Sequence, residues 1–301
     1  EADGANCADS SAEKGWFEMS WVMNHEPAVR LGFFAGIFVV MAVWELVTPR
    51  RRLSAAKNSR WFANLGIMVL GTIVVRIIFP TAAVGMALVA AERDWGLFNN
   101  LDLAPAVAII VSVLVLDLFI YLQHVMFHAV PALWRLHLVH HADVDFDCTT
   151  GLRFHPLEIV LSMVIKLAAV TLLGPPAIAV IIFEVVLNGT SIFNHGNVRL
   201  PATIDRVLRW IVVTPDMHRV HHSVKVRETN SNFGFNLPWW DRLLGTYRDQ
   251  PEDGHESMSI GLSQFQEKPR QGLLGLLAMP FRGQAGDYPM GDSRERSEHR
   301  R

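Results

Sequence analysis

Residues 104–128 read APAVAIIVSVLVLDLFIYLQHVMFH, an apolar run that opens at Ala104-Pro105 and closes on two histidines four positions apart. A bilayer core of about 30 Å needs roughly 20 mostly apolar residues per helix, and proline is favoured in a first helical turn. The run therefore predicts a membrane span from Ala104 to about Leu122. Asp117, Tyr121, His124 and His128 follow at spacings of 4, 3 and 4, a single stripe along one helix face. An aspartate inside a span is costly without a partner, so this stripe carries the chemistry of the helix.

Working outward, similar runs occur at 31–47, 61–79 with a break at Phe79-Pro80, 81–91, 157–173 and 177–193. Gly174-Pro175-Pro176 leaves room only for a tight helical hairpin between the last two. Half of the 301 residues are hydrophobic and only 19% are charged. With a mean hydropathy of +0.24, the balance is too apolar for a soluble domain of this size. The expected fold is all-α, a polytopic membrane bundle of about four to six membrane helices. Residues 1–30 form a polar N-terminal segment, and 31–103 hold the N-terminal membrane helices. Residues 251–301 form a C-terminal segment in which 272–279 suit the membrane interface, ahead of a charged tail that reads as disordered.

Arg50, Arg51, Arg52, Lys57 and Arg60 crowd the loop after the first span, while residues 1–30 are mostly acidic. The positive-inside rule makes that loop cytoplasmic. With residues 61–91 crossing once overall, residues 124–156 and everything after 194 are cytoplasmic too, and the amino terminus lies outside. A net charge of −2 offers no surface for nucleic acid. Cys7 and Cys148 fall on opposite sides of the membrane in this topology, which excludes an internal disulfide or a Cys-x-x-Cys metal site. The first 27 residues are polar and show no cleavable signal peptide. Lys166 and Arg76 lie within spans, where each could snorkel, pair with Glu184 or Asp117, or approach a headgroup.

Eight of the 13 histidines sit in three groups: His124 and His128; His137, His140 and His141; His218, His221 and His222. At i, i+3 and i+4 on a helix such residues share a face, so each group presents its imidazoles in one direction. Imidazole suits iron, zinc, copper and nickel, and eight or more ligands exceed what one ion uses, so two ions are implied. Glu184, Asn188, Ser191 and His195 repeat the 4, 3, 4 stripe on the last span. His195 is thus a ninth candidate ligand, the alternative being a hydrogen-bonding histidine at a helix end. His155 precedes Pro156 at a helix start and is a candidate to line the site, with Tyr121 and Asn188, rather than to bind metal. His25, His255 and His299 stand apart and read as solvated or hydrogen-bonded side chains.

The pattern H-x3-H, H-x2-H-H, H-x2-H-H resembles the fatty acid hydroxylase and sterol desaturase superfamily of membrane-bound non-haem di-iron enzymes. The resemblance covers roughly 104–248 and extends beyond histidines. It includes His140-His141-Ala142-Asp143, the run Thr149-Thr150-Gly151-Leu152-Arg153-Phe154-His155-Pro156, Phe193-Asn194-His195, Asn232-Phe233-Gly234 and Trp240-Asp241-Arg242. These strings look most like bacterial members described only as sterol desaturase family proteins. What the resemblance implies is a di-iron domain over 104–250: a helical membrane bundle under a cytosolic helical cap, with two iron ions held between them by the nine histidines. The sequence departs from relatives that carry a further histidine shortly after the position of His195, since Gly196, Asn197, Val198 and Arg199 follow here.

The expected activity is hydroxylation, or desaturation, of a C–H bond of a lipid with O2 as co-substrate, at the cytoplasmic side of a bacterial inner membrane. A sterol desaturase or oxidase and an ether-lipid monooxygenase are alternatives of the same chemistry; a non-catalytic metal carrier or a haem protein is the alternative of another class. Asp117, Asp143 and Asp216, with Glu158, are expected to balance metal charge behind the imidazoles. No haem-attachment motif, dinucleotide fingerprint or iron–sulfur cysteine set occurs, so electrons must come from a separate donor, a ferredoxin or a cytochrome b5-like protein with its reductase. Arg135 and Arg219 are candidates to meet an acidic partner or lipid phosphates. The oligomeric state is left open.

Overall fold

The computed structural model describes residues 21–266, 271–282 and 285–290. The described residues are helical throughout, with no strand beyond two isolated bridges, Pro49 with Val198 and Ser223 with Ile260. Five helical segments are long and apolar enough to cross a bilayer, at 26–47, 57–92, 105–129, 156–173 and 177–194. They correspond to α1 (Glu26–Val47), α2 with α3 (Lys57–Ile78 and Ala82–Glu92), α4 (Pro105–Ala129), α6 (Pro156–Leu173) and α7 (Ala177–Asn194). Leu31, Val39, Val40, Val43, Ile73, Ile110 and Leu172 are exposed on them, as a lipid-facing surface requires.

The second segment is broken where the sequence predicts. Pro80 has no N–H to continue the ladder, α2 ends at Ile78, and Ala82 takes a left-handed φ of 50°. The two pieces still cross once. Gly71 lies against Pro156 and Ile159 at the start of α6. The chain just past α3 meets the other end of α6, where Leu97 N donates to Leu172 O at 3.0 Å. Gly174 ends α6 at φ 61°, and a Cβ there would stand 2.4 Å from Trp95 O, so glycine is required on both counts. Ala83, Ala87, Leu116, Val170, Val180 and Phe183 form the intramembrane core among α3, α4, α6 and α7. Within it Lys166 pairs with Glu184 at 2.8 Å, and Arg30 of α1 reaches the same carboxylate at 3.0 Å.

With this path, the C-terminal ends of α1, α4 and α7 and the N-terminal ends of α2 and α6 emerge on one face. The cap is built there from α5 (Pro131–His141), α8 (Ala202–Leu208), α9 (Pro215–His221), α10 (Val226–Thr229), α11 (Trp239–Leu244), α12 (Gly254–Ser257) and α13 (Leu273–Ala278). The segment expected at the membrane interface, α13, packs Leu276 against Ala63, Ile67, Trp134 and Leu138, while Leu274 stays exposed. Cys148 is a buried free thiol. Cys7, His299, residues 1–20 and the tail from 291 lie outside the described residues.

Candidate metal centre

The centre follows from how α4 joins α5. Val130 is at once the residue that closes α4 and the one that opens α5, and Pro131 fixes the new direction. His124 and His128 at the end of one helix thereby face His137, His140 and His141 on the next. Thr214, whose hydroxyl accepts from Met217 N, opens α9 and presents His218, His221 and His222 from the other side. His195 closes α7.

All nine imidazoles are at most 3% exposed. Their ligand atoms fall into two groups, each within 4.8 Å: His124, His128, His137, His141 and His221; and His140, His195, His218 and His222. The triplets are therefore split between groups, which corrects the expectation that each faces one way. Adjacent residues on a helix point about 100° apart, so His140 and His141 serve opposite groups, as do His221 and His222.

Tautomers show what these groups suit. Nδ1 of His124, His221 and His195 each lies 2.7 Å from a backbone carbonyl, of Phe233, Ser231 and Ser191. A carbonyl only accepts, so each Nδ1 holds the proton and each Nε2 presents a bare lone pair. His137 donates Nδ1–H to Glu158 Oε1 at 2.6 Å, with the same result. Yet Nε2 of His124 lies 3.0 Å from Nε2 of His221 and 3.1 Å from that of His137. In the other group Nε2 of His195 lies 3.2 Å from Nε2 of His140 and 3.1 Å from that of His218. Lone pairs converging with no proton between them fit a cation. Two ligands about 2.1 Å from one ion stand about 3.0 Å apart at right angles and about 3.4 Å at the tetrahedral angle. Among the described residues His222 is fully buried with neither ring nitrogen bonded, an orphan a metal would satisfy. Burial drives the imidazole pKa values down, to about 3 for His137 and His195 and well below the usual value for His140, His141, His218, His221 and His222. The cluster is accordingly neutral and ready to ligate.

The carboxylates distribute differently from expectation. Glu158 bonds a clustered histidine, but Asp117, Asp143 and Asp216 do not. Asp117 accepts from Trp240 Nε1 at 2.8 Å and Leu237 N at 3.3 Å, and so ties α4 to α11. Asp216 pairs with Arg219 and Arg50. Asp143 takes a two-pronged bond from Arg60 at 2.8 Å and accepts from Thr150 Oγ1 at 2.9 Å. Burial alone would raise the Asp143 carboxyl, but Arg60 and Arg153 hold it well below the usual carboxylate range. Arg60 also reaches Asp147 at 2.6 Å, and Arg153 donates to Val139 O, Asn64 and Gln271. This buried network pins the loop after His141 onto α2.

Of the site-lining candidates, Tyr121 bonds Thr246 Oγ1 at 2.8 Å and meets Phe233, which packs on His124, His128 and His221. Asn188 donates back to Glu184 O in its own helix and, among the described residues, bonds no clustered histidine. His155 caps α6 by accepting from Leu157 N, and its other nitrogen meets Leu277 O. His255 is buried and hydrogen-bonded to Gln250, while His25 is exposed and stacks on Trp21. Arg219, a candidate for partner contact, is fully buried, and Arg135 donates to Pro280 O.

Sequence reading missed several supporting side chains. Asn230 Oδ1 lies 3.1 Å from His128 Nδ1. Asp241 holds Phe233 N and Gly234 N at 2.7 and 2.8 Å, and burial raises its pKa to about 6. Glu45, at the end of α1, accepts from Cys148 N and Asn197 N. A carboxylate in an otherwise apolar span was a visible signal for Glu45. The place after His195 is filled: a Cβ at Gly196 would meet Met41 at 2.4 Å.

Residues 109–246 match the family model described as fatty acid hydroxylase. The chain is 30% identical over 176 residues to ornithine lipid hydroxylase OlsE of Rhizobium tropici, covering 58% of this chain and 51% of that protein. Alkylglycerol monooxygenase of Homo sapiens is 28% identical over 141 residues, covering 45% of this chain and 29% of that one. Cholesterol 25-hydroxylase of Homo sapiens is 28% identical over 145 residues, covering 46% and 51%. The chain thus spans about half the length of these relatives or less. No solved structure matches.

Proposed function

From the premise that the chain belongs to the fatty acid hydroxylase family through residues 109–246, we propose that it is a di-iron lipid oxygenase of the membrane. The observation that carries this reading is the pair of buried, neutral histidine groups, five and four residues strong, at one end of an apolar bundle. All nine histidines are assigned as iron ligands. Iron held there would supply O2 activation and removal of hydrogen from an unactivated C–H bond, chemistry beyond any side chain here. The protein keeps the imidazoles unprotonated by burying them, fixes ring orientation through Glu158, Asn230 and three backbone carbonyls, and shields the site from water with Phe146, Phe154 and Phe233. We assign the di-iron domain to 104–250, after membrane helices in 31–103.

The substrate is a membrane lipid. A slot of about 10 Å³ lined by Leu116, Ile120, Gln123, Ile165 and Phe183 runs among α4, α6 and α7, with Gln123 adjoining His124. It holds at most a water at this volume. Hydroxylation is the primary reading, since the relatives are named hydroxylases and monooxygenases. Arg51, Arg52 and Lys57 after α1 support a cytoplasmic centre under the positive-inside rule; we assign the chain to a bacterial inner membrane, with electrons from a separate ferredoxin or cytochrome b5-like donor. The test is metal analysis of the purified chain with mass spectrometry of lipids incubated with O2 and a reducing system. Two irons per chain and lipid gaining one oxygen atom are expected; loss of two hydrogens would mean desaturation. Bound metal with no lipid product and no oxygen uptake would reduce the protein to a metal carrier.

A further inference from the structure

A second built feature lies beside the metal centre. Thr48 O accepts from Arg199 N at 3.0 Å and Asn197 O from Arg50 N at 2.9 Å, so the exits of α1 and α7 from the membrane run side by side. Arg50 is three residues beyond Val47 and Arg199 five beyond Asn194. The headgroup layer is about 5–8 Å deep on each side of the hydrocarbon, so both arginines lie at headgroup level. There a cleft of about 800 Å³ is lined by Arg50, Arg199, Arg206, Arg209 and Arg242, a volume suited to a small organic ligand.

The cationic lining is only partly neutralised from within. Arg50 and Arg199 share Glu256, Arg50 also meets Asp216, and Arg209 meets Asp205 and Asp249. Among the described residues Arg206 and Arg242 form no close ion pair with a carboxylate; Arg242 acts on Asp241 through space and donates Nη2–H to Arg209 O at 3.1 Å. Arg209 is 3% exposed with Nη2 unbonded, and Arg242 is held between the rings of Trp210 and Tyr247 at 4.1 and 4.0 Å. Guanidinium groups so placed match a phosphate.

The rim tells which phosphate. Ile204 and Val207 of α8 and Ile211 in the turn that follows it are exposed, while Asp205 of α8 and Arg209, which closes it, are buried. Trp210 is exposed as well, and Trp239 donates to its carbonyl at 2.6 Å, which joins α11 with its exposed Leu243 and Leu244 to the same rim. An apolar stripe with two tryptophans at this depth belongs in the acyl–headgroup boundary. We propose that the cleft binds the phosphate of an anionic phospholipid headgroup, with α8 and α11 immersed at its edge. This seats the cap on the bilayer and stands on the cleft and chain path, independent of the reaction assigned to the histidines.

The test titrates dihexanoylphosphatidylglycerol, dihexanoylphosphatidylcholine and inorganic phosphate separately into the full-length protein in a non-ionic detergent, with calorimetry as readout. Expected is at least tenfold tighter binding of the anionic lipid than of the zwitterionic one. Arg206→Gln, an exposed substitution, should weaken it about fivefold, and Arg206→Gln with Arg242→Gln about 25-fold. Equal binding of the two lipids, or unchanged binding by both variants, overturns the proposal. Inorganic phosphate binding as tightly as the anionic lipid also overturns it, in favour of a free-anion site. So does a double variant that keeps the lipid but loses an acidic donor protein, since the cleft would then be a protein-docking surface.

Discussion

Replacing Glu158 by Gln separates what this carboxylate does for metal from what it does for folding. In the wild-type chain Oε1 accepts from His137 Nδ1 at 2.6 Å, and Oε2 is buried with no partner. A hydrogen bond to a charged acceptor contributes about 1.5–3 kcal/mol and a neutral one about 0.5–1.5 kcal/mol. Glutamine keeps the acceptor and loses the charge, so the loss is about 1–1.5 kcal/mol. That corresponds to roughly a tenfold weaker metal affinity, at the low end of the about 10–100-fold reported for partners of ligating histidines. Glu158→Ala leaves the His137 ring unheld and belongs at the upper end. In the metal-free protein the sign reverses, because a buried, half-satisfied carboxylate is itself destabilising. Glu158→Gln should therefore unfold at the same or a higher temperature than wild type when both are stripped of metal. Competition with a calibrated chelator measures the affinity, and thermal unfolding of the apo forms measures the second arm. Unchanged affinity, or an apo form that melts well below wild type, would refute the assigned role.

Other outcomes follow from the same geometry. Arg60→Leu removes the nearest cation from the carboxylates of Asp143 and Asp147, both fully buried, and leaves Asp143 only the more distant Arg153. It should cost about 3–5 kcal/mol, read by equilibrium unfolding in mixed detergent, with Arg60→Lys retaining part of the loss. His222→Ala should lower bound metal by plasma emission analysis, whereas His255→Ala, in a residue outside both groups, should leave it at the wild-type level. Chelation of the holoprotein should lower its unfolding temperature, because an ion that binds only the folded state stabilises it by mass action. Gly174→Ala forces a left-handed alanine against Trp95 O and should destabilise by more than about 1 kcal/mol, visible as faster thermal inactivation.

The span order, the break at Pro80, the hairpin at Gly174 and the nine clustered histidines were legible because each rests on local pattern: hydropathy, proline chemistry, or helical spacing. What was not legible depends on partners far away in the chain. Arg60 reads as one of several loop cations, yet it is 2% exposed and bonded across 83 residues to Asp143. Asp117 shares a helical stripe with His124, but period alone does not say that Trp240 would take its carboxylate. The split of each histidine triplet was readable in principle from the 100° turn between neighbours. Only the arrival of α9 opposite α5 decides which imidazole joins which group.

The shared residue between α4 and α5 ties the cap mechanically to the bilayer. At 1.5 Å per residue the 25 residues of α4 measure about 37 Å, against about 30 Å of hydrocarbon. Upright, the helix stands about five residues proud of the hydrocarbon, which is the length from His124 to Ala129. With no loop between Ala129 and Pro131 to absorb strain, a thicker membrane or a changed tilt moves the five imidazoles of α4 and α5 together relative to the other four. Bilayer thickness is thereby a variable of the histidine geometry, as much a part of the site's surroundings as the side chains behind it.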